Sequence, residues 1–389
     1  MILNNHPHQT QLDSSTGRKL SSNTTRLLRV GLIGIGEVAQ SVHLPTTALL
    51  SHLYTVTAIC DISKEALKHC AAKFHIKSTY TSASELCSDP NVDMVFVLTS
   101  DELHETHAIL ALQNNKDVLI EKPISISLAS ARRIQEAETK SHGTVFVGYM
   151  RRYAPALETF LREVPTMNEI KFVRVRAIIG PNTAFVGQSG TFPLRFTDYP
   201  GEASVERTLA GDALLREVYP NHDEITPTMT RFCRFLGGLG SHDLSVMREV
   251  LGMPRACTGV SVHPPFFTAT FEYDGFAVSY ETGIDSVPRF DSHIQVYGSH
   301  KTVRLQYDTP YVKGLPILVS VDEVNEQGEF SQREIRPSYE DAYTVELKAL
   351  HENLTKGTRI KTTVEDAMQD LEIFQLILKQ AFPLDIISS

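Results

Sequence analysis

The sequence predicts two domains, a doubly wound α/β domain followed by an α+β domain. Up to about residue 150, apolar β-branched runs alternate with helical segments; beyond it, strands of alternating apolar and polar residues are separated by long connections. The chain has 389 residues, more than the roughly 250–300 at which a single core stops growing. The predicted fold class is therefore α/β, with a C-terminal α+β domain that carries an open, mostly antiparallel sheet.

The first domain is predicted over residues 27–150, after a polar tail, residues 1–26, that we expect to be disordered. Its strands show little alternation, as suits parallel strands covered on both faces, and they read LLRVGLIGIG, YTVTAICD, VDMVFVLTS, DVLIEKP and TVFVGYM. Ser82 followed by Glu85 indicates a capping box at one helix. Helices are predicted at 37–50, 63–74, 82–87 and 102–114.

The second domain is predicted over residues 151–389, with C-terminal helices at about 340–382 that pack back on both domains. Its strands alternate as half-exposed sheet does, in EIKFVRVRAIIG, FTATFEY, FAVSYETG, HIQVYGS and KTVRLQYD. An open sheet face needs cover, so we expect a homodimer or homotetramer formed through this sheet. The segment 181–230 is rich in Gly, Pro and Thr and too long for a plain connection, which favours a wall of the active site.

Composition favours small-molecule chemistry in the cytoplasm. A net charge of −9 without a basic stripe argues against a nucleic-acid surface, and no apolar run reaches the roughly 18 residues that suggest a membrane span. The five cysteines are scattered without a CxxC pair, which indicates neither a disulfide framework nor a zinc site. We therefore expect a reducing compartment, a small-molecule substrate and no metal, nucleic-acid or membrane partner.

A glycine motif follows the first strand. Gly34, Gly36 and Ala39 match G-x-G-x-x-A, in which the first Gly makes the tight turn, the second lets the backbone approach a pyrophosphate and the small third residue lets helix and strand pack closely. Asp61 ends the second strand, where a carboxylate accepts hydrogen bonds from the adenosine ribose. The pattern predicts a dinucleotide site. Asp61 favours NAD because it would repel a 2′-phosphate, although Lys64 nearby leaves NADP open.

The fourth strand ends in LTSDELHETH, at the edge of the sheet where ligands bind. Thr99 and Ser100 are therefore predicted cofactor neighbours, and His104, which begins the next helix, is placed to face the nicotinamide ribose. A metal site at His104 and His107 is disfavoured, because the two are three apart whereas the metalloprotease motif needs four. A solvated helix face explains His107.

Three segments, GLIGIGEVAQSVHLP, TSDELHETHAILALQNNKDVLIEKP and VGYMRRYAPA, resemble the glucose-fructose oxidoreductase, inositol dehydrogenase and MocA (Gfo/Idh/MocA) family, from residue 28 to about 382. The resemblance implies that Lys122, in Glu-Lys-Pro, lies between cofactor and substrate. Independently, a partly desolvated lysine at a strand end beside a cationic ring should have a lowered pKa and exchange protons near neutrality. Glu121 would orient Lys122 or the cofactor, and Pro123 would fix the turn.

The family's second catalytic element is a helix with Asp-x-x-x-His, and the matching stretch is FLGGLGSHDLSVMREVLG. His242 takes the His position, but Gly238 stands where the Asp is expected and Ser245 where a second Asp often occurs. Asp243 would point to a different helix face. We therefore expect Lys122 and His242 to be catalytic, with His242 lacking the usual support for its imidazolium.

The function implied is an NAD(P)-dependent oxidoreductase that transfers a hydride between nicotinamide and a secondary alcohol or ketone of a sugar, polyol or related cyclic hydroxy compound. The alternative is a dinucleotide-binding sensor without turnover, which Gly238 favours and the retained Lys122 opposes. Tyr149 and Arg151 open the second domain and are candidate substrate residues; an exposed, purely structural Arg151 is equally compatible.

Overall fold

The computed structural model describes residues 26–384, so the predicted disordered tail, Arg26 apart, lies outside the described residues. Its first sheet is six-stranded and wholly parallel, in the order β3-β2-β1-β4-β5-β6. This is the strand order of the doubly wound dinucleotide-binding fold, which confirms the predicted fold class. The strands are β1 (Leu28–Ile33), β2 (Tyr54–Cys60), β3 (Ser78–Tyr80), β4 (Met94–Val97), β5 (Asp117–Glu121) and β6 (Val145–Gly148).

Helices cover both faces of this sheet, which is why β4 and β6 are buried along their whole length. A π-helical turn, Ala39–His43, precedes the first α-helix. The helices are α1 (Leu44–Leu49), α2 (Lys64–Phe74), α3 (Ala83–Ser88), α4 (His104–Gln113) and α5 (Leu128–Thr139).

Two local details differ from the sequence-based expectation. The sequence patterns did not predict α5, although Ser127 caps it by accepting a hydrogen bond from the backbone of Ser130. The capping box predicted at Ser82 is wrong, because its side chain makes no capping hydrogen bond. Ser82 instead contributes its backbone carbonyl oxygen, which accepts a hydrogen bond from Leu86 N at 3.3 Å.

The second sheet has eight strands in the order β14-β13-β12-β11-β7-β10-β9-β8. Only the β7–β10 pair is parallel, which confirms an open, mostly antiparallel sheet. The strands are β7 (Ile170–Ile179), β8 (Ala256–His263), β9 (Phe266–Glu272), β10 (Ala277–Ile284), β11 (Phe290–Gly298), β12 (Lys301–Tyr307), β13 (Leu318–Val324) and β14 (Phe330–Ile335).

The outer face of this sheet carries charge at its centre. Arg174 forms two hydrogen bonds of 2.8 Å with Glu281 on the neighbouring strand. Arg176 lies 3.2 Å from Asp291 on the other side. Valine and tyrosine side chains of the same strands, such as Val173 and Tyr280, are buried on the inner face. The sheet therefore has one apolar and one polar face, as its alternating pattern predicts.

The remaining helices lie between and after the strands of the second sheet. They are α6 (Pro155–Glu163), α7 (Asn182–Val186), α8 (Gly201–Val218), α9 (Pro227–Phe235), α10 (Ser241–Leu251), α11 (Ala342–Lys356) and α12 (Val364–Ala381). A π-helical turn, Leu236–Gly240, joins α9 to α10. Leu347 and Leu350 of α11 pack into the core cluster of the first sheet. No helix among residues 26–384 is long and apolar enough to cross a membrane.

The segment 181–230 contains a feature that its composition did not predict, the 18-residue helix α8. Val205 and Leu209 on this helix are exposed, and Gly211 lies near its middle, so the apolar residues do not mark a single buried face. Helical periodicity is consequently weak in the sequence. The predicted role as an active-site wall holds at one end only, where Asn182 lines the central cavity described below.

Candidate active site

A cavity of about 790 Å³ opens beside the ends of β4 and β5. One wall comes from the first sheet, including Thr99, Glu121 and Lys122, and another from the turn before α10 and from α10 itself, including Gly238 and His242. The carboxyl edge of a doubly wound sheet is where this fold binds ligands. The structure thus brings the two predicted catalytic side chains to one cavity.

Lys122 follows the last residue of β5 directly and points at the π-helical turn. Its Nζ donates a hydrogen bond of 2.6 Å to the carbonyl oxygen of Gly238. Burial lowers the pKa of Lys122; the charge of Arg151 adds to this effect, whereas Glu121 opposes it. The free amine therefore becomes accessible at a lower pH than for an exposed lysine. The Lys122–Pro123 peptide bond is cis.

Glu121 is held by a histidine that the sequence analysis did not identify. His43 Nε2 lies 2.8 Å from Glu121 Oε1, and both side chains are buried. Burial acts to raise the pKa of Glu121, but the hydrogen bond and charge of His43 and the charge of Lys122 outweigh it, so the pKa is lowered. Glu121 is thus a fixed carboxylate that also accepts from the backbone N–H of Lys122 at 3.1 Å. His43 belongs to the VHLP segment, but nothing local links it to Glu121.

His242 lies in the first turn of α10. Burial lowers its pKa well below the ordinary value, and the positive charges of Lys122 and Arg151 lower it further. Its Nδ1 is buried and has no hydrogen-bond partner among the described residues. The ring is consequently a neutral imidazole near pH 7, able to accept a proton but without a carboxylate that would support the imidazolium.

His242 has no supporting carboxylate because position 238 is a glycine, which has no side chain. A Cβ atom placed on Gly238 would meet no atom of the described residues within 4 Å, so space for a side chain exists there. Its carbonyl oxygen accepts from Lys122 instead. Asp243, the next residue after His242, points away from the imidazole and contacts Arg151 and Ser292.

The two candidate substrate residues have different surroundings. Arg151 lines the cavity, but it is only 3% exposed, and its Nη1 donates to Asp243 and, at 2.9 Å, to Ser292. Its guanidinium also lies 5.1 Å from the ring of Tyr307. Burial raises the pKa of Asp243 to about 6, with Arg151 opposing the shift. Arg151 is therefore committed to internal contacts, but it is buried and not exposed as the structural alternative expected.

Tyr149 is not placed to contact a substrate. It is 1% exposed, does not line the cavity, and forms part of the core. Its ring packs beside the guanidinium of Arg152, 5.9 Å away. The structure therefore does not bring Tyr149 to the cavity, and a substrate contact by Tyr149 stays a prediction.

The glycine turn after β1 has the form that a dinucleotide requires. Gly34 adopts φ = +87°, and a Cβ there would lie 2.9 Å from the backbone of Leu98 and Thr99, so only glycine fits. A Cβ at Gly36 would meet nothing within 4 Å, which leaves its backbone facing open space. Ala39 is fully buried.

Asp61 completes this edge at the end of β2. Its Oδ2 accepts from Ile35 N and its Oδ1 from Ser63 N, both at 2.9 Å, and the side chain stays half-exposed. The carboxylate is thereby fixed beside the glycine turn, leaving lone pairs free for hydroxyl donors. Together the open backbone at Gly36 and the anchored Asp61 fit the pyrophosphate and ribose of a dinucleotide.

The predicted cofactor neighbours after β4 divide into two groups. Thr99 and His104 line the cavity, whereas Ser100 does not. His104 is 2% exposed, with Nδ1 2.8 Å from the carbonyl oxygen of Pro123 and Nε2 2.9 Å from that of Thr99. His104 therefore links the ends of β4 and β5.

His107 does not lie on a solvated helix face, as the sequence suggested. Burial lowers the pKa of His107 to about 4, and its ring lies 3.2 Å from Thr99 Oγ1.

Arg234 and several aromatic side chains also line the cavity. Arg234 of α9 donates to Asp101 at 2.7 Å, although 133 residues separate the two. Tyr311, Tyr343 and Phe267 complete the aromatic part of the wall. These side chains come from loops and elements far apart in the chain, so no local pattern connects them.

Comparison with known proteins agrees with this geometry. Residues 28–149 match a family model described as an oxidoreductase family with an NAD-binding Rossmann fold, and residues 231–383 match the C-terminal alpha/beta domain of the same oxidoreductase family. The fold and the two matches define a dinucleotide-dependent oxidoreductase. The chain belongs to the Gfo/Idh/MocA family, as the sequence resemblance indicated.

Curated relatives carry dehydrogenase names. An inositol 2-dehydrogenase of Acidothermus cellulolyticus is 26% identical over 75% of this chain and 76% of its own. A trans-1,2-dihydrobenzene-1,2-diol dehydrogenase of Mus musculus is 32% identical, over 38% of this chain and 44% of its own length. The similarity to this relative thus spans less than half of it.

Solved structures share the fold along nearly the whole chain. A levoglucosan dehydrogenase in complex with NADH and levoglucosan superposes with a TM-score of 0.68 at 16% identity, covering 92% of this chain and 97% of that one. The aldose-aldose oxidoreductase of Caulobacter crescentus gives 0.68 at 18% identity, with coverages of 92% and 98%. At these identities the likeness shows the fold alone.

Proposed function

We propose that the protein interconverts a secondary alcohol and a ketone on a sugar, polyol or related cyclic hydroxy compound, with NAD(H) or NADP(H) as the hydride carrier. The observation that carries this proposal is the position of Lys122, at the carboxyl end of β5 in the same cavity as His242. The nicotinamide would supply the hydride chemistry when bound. The chain itself must bind and orient the substrate and move one proton.

Lys122 is the proposed proton-exchanging group. Its lowered pKa makes the neutral amine available to accept a hydroxyl proton, and the ammonium returns the proton in the reductive direction. Gly238 fixes the nitrogen by accepting one of its hydrogen bonds. Glu121, itself held by His43, fixes the backbone from which Lys122 extends.

His242 is the proposed second partner of the substrate hydroxyl. Because it is neutral near pH 7, it can accept a hydrogen bond or a proton on an unprotonated ring nitrogen. Without a carboxylate at position 238, the imidazolium is poorly supported. We therefore assign the main proton transfer to Lys122 and a hydrogen-bonding role to His242.

The cofactor is proposed to lie along the carboxyl edge, with its pyrophosphate at Gly34 and Gly36, its adenosine ribose at Asp61 and its nicotinamide end near Thr99 and Lys122. The relatives' dehydrogenase names support a cyclic polyol or diol substrate class. An apolar and aromatic wall, with Phe267 and Tyr311, suits the carbon face of a ring.

We further propose that the protein acts in the cytoplasm as a homodimer or homotetramer through the second sheet. All five cysteines are buried free thiols, in keeping with a reducing compartment. The open face of the second sheet, which carries the paired Arg174 and Glu281 near its centre, is the surface that we propose to contact a second copy. We also propose that residues 27–150 and 151–389 form the two domains.

The test combines cofactor binding with turnover. Dissociation constants of NADH and NADPH are measured by calorimetry, followed by absorbance at the nicotinamide band with a panel of inositols, cyclic diols and sugars. Lys122→Ala should still bind cofactor but lose roughly 10²–10⁴-fold in kcat, whereas Lys140→Ala, an exposed lysine at the end of α5, serves as the matched control. Absence of cofactor binding by the wild type, or full turnover by Lys122→Ala, would refute the proposal.

A further inference from the structure

A strap, residues 189–200, connects α7 to α8 and crosses the first domain instead of the second. One attachment lies beside the glycine turn, where Gln40 and Leu194 exchange two hydrogen bonds of 3.0 Å, side chain to backbone. Gln40 also donates to the carbonyl oxygen of Ile35, inside the glycine motif, at 2.9 Å. The strap is therefore tied to the turn at which the pyrophosphate is proposed to lie.

The other attachment lies directly after Asp61. The Ser63 hydroxyl donates to Asp198 Oδ1, and the backbone N–H of Glu65 donates to Asp198 Oδ2 at 3.0 Å. The hydrogen bond from Ser63 lowers the pKa of Asp198, as do N–H donors of the first turn of α2. Asp198 is therefore a charged carboxylate near neutral pH, and it accepts hydrogen bonds from donors that follow Asp61 in the chain.

Further contacts hold the strap in place. Lys73 Nζ donates to the carbonyl oxygen of Thr191 at 2.5 Å. The rings of Phe196 and His69 lie 5.7 Å apart, and Arg195 lies 3.0 Å from Glu37. Asp198 is thus positioned by contacts that are independent of any ligand.

These attachments mark the adenosine half of the cofactor site. In this fold the pyrophosphate lies at the glycine turn, and the carboxylate that ends β2 binds the ribose hydroxyls. A 2′-phosphate on that ribose would need hydrogen-bond donors and positive charge among the residues that follow Asp61. Two donors that follow Asp61 are the Ser63 hydroxyl and the Glu65 N–H, and Asp198 accepts a hydrogen bond from each of them.

We propose that Asp198 makes the protein select NAD over NADP, because its carboxylate fills the position that an adenosine 2′-phosphate would require. This inference rests on the proposed function. Asp61 and Asp198 together place two negative charges beside the 2′ position, which repel a phosphate and leave a free hydroxyl unaffected. Lys64 is exposed and is the one cation in this run of residues 61–65.

Selection therefore depends on a residue far from the glycine motif in sequence. Removing Asp198 should free the Ser63 hydroxyl, the Glu65 N–H and the charge of Lys64 for a 2′-phosphate. The affinity for NADPH should then rise, while the affinity for NADH should stay nearly the same. A change confined to the 2′-phosphorylated ligand distinguishes selection by charge from general loosening of the strap.

The experiment measures Kd for NADH, NADPH, ADP-ribose and 2′-phospho-ADP-ribose by calorimetry with the full chain. The variants are Asp198→Ala, Asp198→Asn and the control Asp212→Ala, which removes an exposed carboxylate from α8. We expect the wild type to bind NADH about tenfold or more tightly than NADPH, and Asp198→Ala to narrow that ratio by about tenfold through tighter NADPH binding. Asp198→Asn should lie between the two, and Asp212→Ala should retain the wild-type ratio.

The ligand pair lacking nicotinamide should repeat the same pattern, because only the adenosine half differs. High salt should reduce the discrimination of the wild type more than that of Asp198→Ala. An unchanged NADPH to NADH ratio in Asp198→Ala, or a wild type that prefers NADPH, would overturn the inference and leave the proposed function standing. A wild type that binds no dinucleotide would instead refute the proposed function.

Discussion

The ammonium nitrogen of Lys122 lies 2.6 Å from the carbonyl oxygen of Gly238. This hydrogen bond joins the end of β5 to the π-helical turn before α10, 116 residues away. A backbone carbonyl fixes the nitrogen without adding a full negative charge, so it leaves burial free to lower the pKa of Lys122. The two residues together explain how the cavity can hold a lysine with a lowered pKa although position 238 has no carboxylate.

The pH dependence of alcohol oxidation should report the ionisation of Lys122. Its pKa is lowered from 10.5, so the neutral amine that accepts the proton accumulates as pH rises through a value below 10.5. We expect kcat/KM in the oxidative direction to rise with pH along a single limb with that apparent pKa. Because the pKa of His242 is already far below 6.5, His242 should add no limb near pH 6.5.

Profiles of kcat/KM from pH 5 to pH 10 on wild type and Lys122→Ala check this expectation. Loss of the limb together with most of the activity in Lys122→Ala is the expected result. A limb that persists in Lys122→Ala would assign the titration to another group. Lys140→Ala controls for the removal of a lysine elsewhere on the first domain.

The buried contact between His43 and Glu121 should contribute to stability. His43→Leu keeps a comparable volume but removes the donor, and it leaves Glu121 buried with one fewer partner. We expect a loss of roughly 1–3 kcal/mol in the free energy of unfolding. His43→Gln, which retains an amide donor, should lose less. Urea unfolding of the three proteins measures the difference, and equal stability of the Leu and Gln variants would show that the hydrogen bond contributes nothing net.

The first sheet and its glycine motif could be predicted because their signals are local. Gly34, Gly36 and Ala39 lie in the turn after β1, and Lys122 directly follows β5, so rules about strand ends place all four. Contacts between distant segments could not be predicted in the same way. His43 meets Glu121 from 78 residues away, and Asp198 meets Ser63 from 135 residues away.

The contacts of Arg151 also could not be predicted from the sequence. Its position at the start of the second domain was visible in the sequence, but its hydrogen bonds to Asp243 and Ser292 were not. The local sequence is the same whether such an arginine contacts a ligand in the cavity or is paired with internal residues. Membership of an oxidoreductase family and the position of Lys122 favour the enzyme over the sensor alternative.

Glu163 should make the stability depend on pH below neutrality. It lies 2.6 Å from Lys301 and 2.8 Å from Arg333, which joins α6 to the second sheet. The hydrogen bond from Arg333, followed by contacts with Lys301, lowers the pKa of Glu163 from 4.5 to about 2. Because the folded pKa is depressed, the stabilisation is complete above the unfolded pKa near 4.5 and is lost as pH falls from 4.5 towards 2.

Denaturant unfolding of the wild type and Glu163→Gln at several pH values tests this linkage. The wild type should be the more stable above pH 5, and the difference should shrink progressively below pH 4.5. Glu136→Gln, at an exposed position on α5, should show no such trend. A stability difference that stays constant from pH 6 to pH 3 would contradict the assignment.

Gly238→Asp should restore the carboxylate that the family pattern expects four residues before His242. The position has room, since a Cβ there meets no described atom within 4 Å, and a helical turn tolerates Asp about as well as Gly. A carboxylate one turn from His242 favours the imidazolium, so we expect the pKa of His242 to rise by roughly one unit or more. The pKa of Lys122 should rise as well, and the limb of the oxidation profile should move to higher pH.

Gly238→Asn, which matches the shape of the aspartate side chain without its charge, is the control. Nuclear magnetic resonance of the histidine ring protons measures the pKa of His242 directly. Equal His242 pKa values in the Asp and Asn variants would mean that the side chain at 238 points away from the imidazole, and that Lys122 alone must carry the proton in this member of the family.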